Sequence, residues 1–298
     1  MSVLFRAFID RVRRMGPVGL SLVEAFDEAS LLAVSEAEAE GFVTPFLVGD
    51  VDRIREVMES KGIRLANPVF VDARDPVESA RRGVALVREK RCGFLMKGKI
   101  GTGVLLKEVL DREHGLRQGR ILSHVACLEV PGFDRFIFVT DGGVVLSPDL
   151  NKKVEIVMNA IEVARVMGVE EPRIAVLGPS EVPVPDFAAS MDAVNLDRMS
   201  KDGRFPGAYV EGPIALDAAI SPESARIKGI EGQVAGRADV LIAPDVVAGN
   251  SIAKSMQYFA RAVMGGVIVG AKAPVVVISR ADTAEVKLNS IAMARSLI

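Results

Sequence analysis

Short apolar runs rich in Val and Ile alternate along the chain with longer segments of helical period, and this alternation constrains the fold of the 298 residues more than any other feature. Continuous apolarity over so few residues suits strands covered on both faces, which is the condition of a mainly parallel sheet built from βαβ units. Strands are expected near residues 43–48, 69–71, 94–96, 136–139, 174–177, 240–243, 267–269 and 275–278. Between them, residues 151–168 place Val154, Val157, Ile161 and Ala164 on one helical face, and residues 250–264 do the same with Ile252, Met256, Phe259 and Val263. The charged stretch 111–119 and the Pro-, Gly- and Met-bearing stretch 182–212 lack a period and read as loops or lids. The expected class is a two-domain, three-layer α/β/α protein with mainly parallel sheets. Turn formers concentrate in TDGGVVLSPD at 140–149, and the last helix, 282–297, lacks partners in a C-terminal domain of its own. The first domain is therefore expected to be 1–140 with 270–298 and the second 141–269, with a cleft between them.

Composition excludes several function classes. Lys and Arg total 37 against 39 Asp and Glu, so no global basic field exists to hold a nucleic-acid backbone, and the absence of Trp with only 2 Tyr removes most stacking platforms. Cys92 and Cys127 are far apart, outside any CxxC, and are expected to be buried thiols. With 2 histidines in the chain, a His-based metal centre is not expected. No apolar run approaches the ~18 residues a membrane span needs, and Arg6, Asp10 and Arg11 interrupt the opening segment where a signal peptide would be apolar. That segment, with Val3, Leu4, Phe8 and Val12, is expected to pack as an amphipathic first helix on its own domain in a cytoplasmic protein.

Three strand-to-helix turns are equipped for anions. In VVVISRADTAE, residues 275–285, an apolar strand stops at Ser279 and Arg280 and a helix follows; a guanidinium there can grip two phosphate oxygens and the hydroxyl can donate to the same anion. Asp282 and Glu285 have the spacing of an N-cap and its partner three residues on, a role compatible with catalysis. In LIAPDVVAGNSIAK, residues 241–254, Gly249 would admit a ligand close to the backbone, with Asn250 and Lys254 beyond it, or the turn is an ordinary one with an Asn cap. In FLMKGKIGTG, residues 94–103, Lys97, Lys99 and Thr102 stand around a glycine-rich turn that lacks the spacing of an ATP-binding phosphate loop. His124 lies in LSHVACLE, possible strand sequence, and a lone histidine is more often structural than catalytic.

These blocks, in this order, resemble the phosphate acetyl/butyryltransferase family, and its phosphate butyryltransferases most. The matching stretches are MKGKIGTG at 96–103, LSHVACLE at 122–129, VTDGGVVLSPDLNKKVEIVMNAIE at 139–162, EGPIALDAAIS at 211–221, VAGRADVLIAPDVVAGNSIAKSMQYFA at 234–260 and VIVGAKAPVVVISRADTAEVKLNSIAMA at 267–294. The resemblance implies an isocitrate dehydrogenase-like fold, an active site in the interdomain cleft, a homodimer, and exchange of a short acyl group between coenzyme A and inorganic phosphate. Coenzyme A is then a substrate, and no cofactor or metal is implied. In the acetyltransferase branch a Ser-Arg pair ends the corresponding strand and an aspartate a few residues later is the base. Ser279 and Arg280 fill the pair, but a gapless match puts Val286 at the aspartate, with Glu285 before it and Asp282 further back. Arginines of that branch's first domain are replaced by Lys97, Lys99 and Lys107 in the comparable region.

The implied chemistry assigns catalysis to Ser279, Arg280, Asp282 and Glu285, and binding of phosphate or coenzyme A to Lys97, Lys99, Thr102, His124, Gly249, Asn250 and Lys254. Asp282 is the favoured base, with His124 or Glu211 next. Three alternatives remain open at this level: a phosphate acetyltransferase, a metal- and NAD(P)-dependent hydroxy-acid dehydrogenase on the same fold, and a non-catalytic acyl-CoA-binding module.

Overall fold

The structure, a computed structural model, describes residues 2–279 and 281–298, so Arg280 lies outside the described residues. The chain divides into two compact units, Met1–Arg120 with Gly265–Ile298, and Ile121–Met264. In the first, β1 (Val18–Val23), β2 (Val43–Gly49), β3 (Val69–Asp72) and β4 (Phe94–Lys97) alternate with α1 (Leu4–Arg13), α2 (Glu28–Ala39), α3 (Val51–Ser60), α4 (Pro76–Arg88) and α5 (Thr102–Val109). The second contains β5 (Ser123–Glu129), β6 (Phe136–Thr140), α6 (Leu150–Val166), β7 (Arg173–Leu177), α7 (Ala188–Lys201), β8 (Tyr209–Ile214), α8 (Leu216–Ile220), α9 (Pro222–Ile227), β9 (Val240–Ile242) and α10 (Val246–Tyr258). The chain then returns to the first unit through β10 (Val263–Val269), β11 (Val275–Val276) and α11 (Ala284–Ser296).

Strand order in the first unit is β3-β2-β1-β4-β11-β10, parallel except for the antiparallel β10–β11 pair. In the second it is β5-β6-β9-β7-β8, parallel except for the β5–β6 hairpin. The units part at 120/121 and 264/265, where turn composition and the return of the last helix had suggested 140/141 and 269/270; the first boundary lies earlier because β5 pairs with β6 along Ala126–Glu129 and the hairpin stays whole.

The parallel strands carry the expected continuous apolarity: Leu20, Leu22, Leu47, Phe94, Leu95, Phe138, Ile174 and Val240 are fully or almost fully buried. Helix α6 buries the four residues expected of it, Val154, Val157, Ile161 and Ala164. Helix α1 buries Phe5, Phe8 and Val12 and packs against α11. Two expectations fail. Residues 182–212 are not all loop: they hold α7, whose buried stripe of Ser190, Ala193 and Leu196 is too small and polar to announce itself, and the start of β8. Helix α10 starts four residues earlier than the apolar period suggested, capped by Asp245, and ends at Tyr258, leaving Phe259 87% exposed. Its buried residues are Gly249 and Ala253, since small side chains let it approach β5 and β6 closely. No helix among the described residues is long and apolar enough to cross a membrane.

One partly buried ion pair ties the last helix to the first unit. Lys287 of α11, nearly inaccessible, donates from Nζ to Asp27 Oδ1 at 2.9 Å and to Ser30 Oγ at 3.1 Å, while Asp27 also caps α2 through Ser30 N–H. Burial works against an ionised Asp27, but the hydrogen bonds from Lys287 and Ser30 outweigh it and hold the carboxyl below its ordinary pKa. The pair's contribution is therefore complete above the unfolded value of about 3.9 and is lost as pH falls through the lower folded value. Asp27→Ala strands the Lys287 ammonium and removes a cap, so it is expected to cost about 2 to 3 kcal/mol at neutral pH. In melting experiments the difference from wild type should shrink below about pH 4; a difference independent of pH would show that the ionised pair is not its source.

Candidate active site

Because β1, β4 and β11 are parallel, their carboxyl ends lie on one edge of the first unit's sheet. The chain leaves β1 toward β2 and β3 on one side, whereas β4 sits on the other, so the strand order reverses at β1/β4. In open α/β sheets ligands bind outside the carboxyl ends at such a point. Strand β4 ends at Lys97, and the turn Gly98–Gly101 leads into α5, which begins at Thr102. Next to it, β11 runs out toward Ser279 and Asp282. The fold thus brings Lys97, Lys99, Thr102, Ser279 and Asp282 to one edge.

The turn after β4 is pinned by its backbone. Gly98 N–H donates to Val23 O at 2.8 Å and Lys99 N–H to Glu24 O at 2.8 Å. A Cβ on Gly98 would fall 2.2 Å from Glu24 O, so only glycine fits. Lys99 is exposed, Thr102 half-buried, and Lys97 Nζ reaches Gly98 O at 3.3 Å. Gly101 offers α5 no side-chain cap. An uncapped helix start beside two lysines is electrostatically suited to an anion.

Beyond β11 the expected capping pair is not formed. The cap of α11 is Thr283, whose Oγ1 accepts from Val286 N–H at 3.4 Å, because a hydroxyl at this position reaches the first free amides directly. Asp282, only 5% exposed, turns back instead: its Oδ2 accepts the Ser279 N–H at 3.1 Å, and its own N–H donates to Ser279 O at 3.1 Å. Ser279 Oγ is exposed and accepts from Ala281 N–H at 3.4 Å. Glu285 stands in the first turn of α11 but lines a cavity of about 240 Å³ with Arg6, Asp10, Arg13, Glu36 and Glu40 of α1 and α2 and the residue following α2. Burial, followed by the charges of Glu40 and Glu285, pushes the Glu36 carboxyl up.

In the second unit, β6 and β9 end together and β5 begins alongside, which gathers His124, Gly249 and Asn250 on its sheet edge. Asp141, just past β6, organises this corner: its carboxylate accepts the N–H groups of Gly143 at 2.6 Å, Val144 at 2.9 Å and Val145 at 3.0 Å. Asn250 does not cap the helix; its Nδ2 donates to Gly142 O at 3.0 Å. Gly249 lies against the same turn, where a Cβ would fall 2.3 Å from Asp141 O, and a Cβ on Gly143 would touch His124. Lys254, one turn beyond Asn250, bonds Gln257 Oε1 at 2.8 Å and stands near the Tyr258 ring. Glu211, a reserve candidate for the base, is committed to structure: its carboxylate accepts from Gln233 N–H at 2.8 Å and Val234 N–H at 3.2 Å.

Two residues at these edges escape sequence reasoning. Asp141 carries a readable signal, an Asp before Gly-Gly, which the turn composition of its segment absorbed. Glu24 carries none. It is buried past the end of β1 and accepts Ser79 Oγ–H at 2.6 Å; burial pushes its carboxyl up against the opposing effect of that bond. Both cysteines are buried thiols, Cys92 pushed up to about 12 and Cys127 well above its ordinary value by desolvation, which disqualifies them as nucleophiles. Among the described residues no group of three or more His, Cys, Asp or Glu side chains is placed to hold a metal ion.

The fold is α/β, and the carboxyl ends of its parallel strands gather lysine, hydroxyl and carboxylate side chains at the first unit's sheet edge. A family profile described as "Phosphate acetyl/butaryl transferase" matches residues 70–295. The phosphate butyryltransferase of Clostridium beijerinckii is 38% identical over 99% of this chain and 97% of its own, and the phosphate acetyltransferase of Thermotoga maritima 40% identical over 92% and 93%. A branched-chain phosphotransacylase from Enterococcus faecalis V583 superposes with a TM-score of 0.81 at 32% identity, covering 94% of this chain and 99% of that one. The chain belongs to the phosphate acetyl/butyryl transferase family and is an acyltransferase.

The close approach of α10 to the turn after β6 generates a prediction. Gly249→Ala must displace the Asp141 carbonyl, so the melting temperature should fall by roughly 5 °C or more and the His124 ring resonances should shift. Unchanged melting and unchanged resonances would mean that this packing is not tight in solution.

Proposed function

We propose that the chain exchanges a short, butyryl-like acyl group reversibly between coenzyme A and inorganic phosphate. The observation that carries this is the arrangement past β11: an exposed Ser279 hydroxyl at a sheet edge, with the buried Asp282 carboxylate held to the Ser279 backbone at 3.1 Å, Lys97 ending the adjacent strand and Lys99 in the turn after it. A thiol of pKa about 8.5 is mostly protonated at neutral pH, and thiolate is the nucleophile. Asp282 takes the thiol proton of coenzyme A, the thiolate attacks the carbonyl carbon of the acyl phosphate, and the bond to the phosphate oxygen breaks as the tetrahedral intermediate collapses. Acyl-CoA and phosphate result; the reverse direction uses the same groups. Ser279 donates to the oxyanion of the intermediate, worth about 2 to 4 kcal/mol in a dry site. Arg280, by sequence, follows Ser279 and is assigned the phosphoryl oxygens.

Lys97, Lys99 and Thr102 of the first unit, and His124, Gly249, Asn250 and Lys254 of the second, are assigned to binding of phosphate or coenzyme A. Glu285 loses its share of the catalytic role, since its surroundings are α1 and α2. The isocitrate dehydrogenase-like arrangement, a homodimer, a cytoplasmic location and the lack of any cofactor belong to the same proposal and rest on the family resemblance. The dehydrogenase alternative is not favoured, because relatives at 38 and 40% identity are transferases. A butyryl-like preference draws support from the butyryltransferase and branched-chain relatives, with the acetyltransferase as its rival.

Assays of thiol release from acetyl-, butyryl- and isobutyryl-CoA in the presence of phosphate should show kcat/KM for the four-carbon groups exceeding that for acetyl by at least about tenfold, the low end of what one methylene is worth in a pocket. An acetyl preference would place the chain functionally with the acetyltransferases. In the same assay Asp282→Asn should lower kcat about 100-fold or more with little change in melting temperature, while Glu285→Gln should stay near wild type. Normal turnover by Asp282→Asn would remove Asp282 as the base.

A further inference from the structure

The edge formed by β1 and β4 contains Glu24, which neither the proposed transfer nor any sequence motif uses. It is 6% exposed, and its backbone lies in the left-handed region with φ of 57°. Both features cost free energy: a carboxyl group is withdrawn from water, and a residue with a Cβ is held where glycine is preferred. Stability alone does not select glutamate at such a place. Strain of this kind concentrates where a site requires a fixed geometry.

The atoms of Glu24 show what is being fixed. Its Oε1 accepts Ser79 Oγ–H at 2.6 Å, which anchors the side chain to α4. Its carbonyl accepts two N–H groups, from Phe26 at 2.9 Å and from Lys99 at 2.8 Å, and the carbonyl of Val23 accepts that of Gly98. Gly98 lies so close that it excludes any side chain there. On the other side Gly49, with φ of 144°, brings β2 within reach of the Glu24 carboxyl. The carboxyl is thus enclosed by α4, β2 and the turn after β1, while the adjoining carbonyl carries the first residues of the turn after β4.

We infer that Glu24 is a positioning residue for the anion-binding turn after β4: its bond to Ser79 holds the left-handed backbone, and that backbone sets where Lys99 and Thr102 stand toward phosphate. This rests on the assignment of that turn to phosphate binding. The contrasting role is a strut that joins β1 to α4 and affects stability alone.

Glu24→Gly separates the two, because glycine relieves the backbone strain while removing the anchor. Positioning requires that Glu24→Gly raise the KM for phosphate about fivefold or more with kcat within about threefold of wild type, and that the melting temperature hold or rise. Amide hydrogen exchange at Lys99, whose N–H binds the Glu24 carbonyl, should quicken about tenfold. Glu24→Gln keeps an acceptor for Ser79 and should restore both KM and exchange to near wild type. A strut predicts the opposite for Glu24→Gly: a lower melting temperature with KM and Lys99 exchange unchanged, and that result overturns the inference. If wild-type protein shows no phosphate-dependent transfer at all, the functional reading fails by itself. The exchange at Lys99 then still decides whether Glu24 holds the turn.

Discussion

The parallel pairing of β11 with β4, Val275 opposite Leu95 and Val276 opposite Met96, is the contact on which the proposed chemistry depends. It joins segments some 180 residues apart in the chain and sets the end of one strand beside the end of the other. Without it, the Ser279 hydroxyl and the Asp282 carboxylate would have no fixed relation to Lys97, Lys99 and Thr102. Helix α11 then secures the returning segment by packing on α1 and α2, with Lys287 buried against Asp27 and Arg295 donating to the carbonyls of Met15 and Gly16. An isolated strand of two residues could not hold this register; the helix that follows it supplies the apolar burial that does.

Close backbone approach is the second constraint. Gly98 against the carbonyls of Val23 and Glu24, and Gly249 against that of Asp141, are places where a single methyl group would push an edge out of shape. At both, the glycine serves tertiary packing and not the conformational freedom of a turn, since neither has a left-handed φ. In the sequence Gly249 was legible as a possible ligand approach and Gly98 only as part of a glycine-rich turn. The structure shows that their immediate neighbours are the protein's own carbonyls.

Much of the fold was readable because parallel strands buried on both faces are continuous apolar runs: β2, β4, β6, β7 and β9 appear nearly where such runs lie. What escaped has a common cause. Strand β1, VGLSLV, is interrupted by a buried Ser21, β8, YVEGPI, by Glu, Gly and Pro, and α7 buries small residues that leave a faint period. The site was legible as a set of strand-to-helix turns, but local spacing could not choose among Asp282, Thr283 and Glu285 for the cap. Thr283 takes it, Asp282 turns back to Ser279, and Glu285 faces α1 and α2. Glu24 was invisible because its partners, Ser79 and Lys99, are brought to it only by the fold.

The central claim is that phosphate is received at the edge formed by β4 and β11. A crystal structure of the protein grown with inorganic phosphate and coenzyme A tests it directly. The account predicts an ordered phosphate with oxygens about 2.7–3.2 Å from the Ser279 hydroxyl and from the ammonium of Lys97 or Lys99. An ordered phosphate bound at another place, with this edge holding only water, would contradict it.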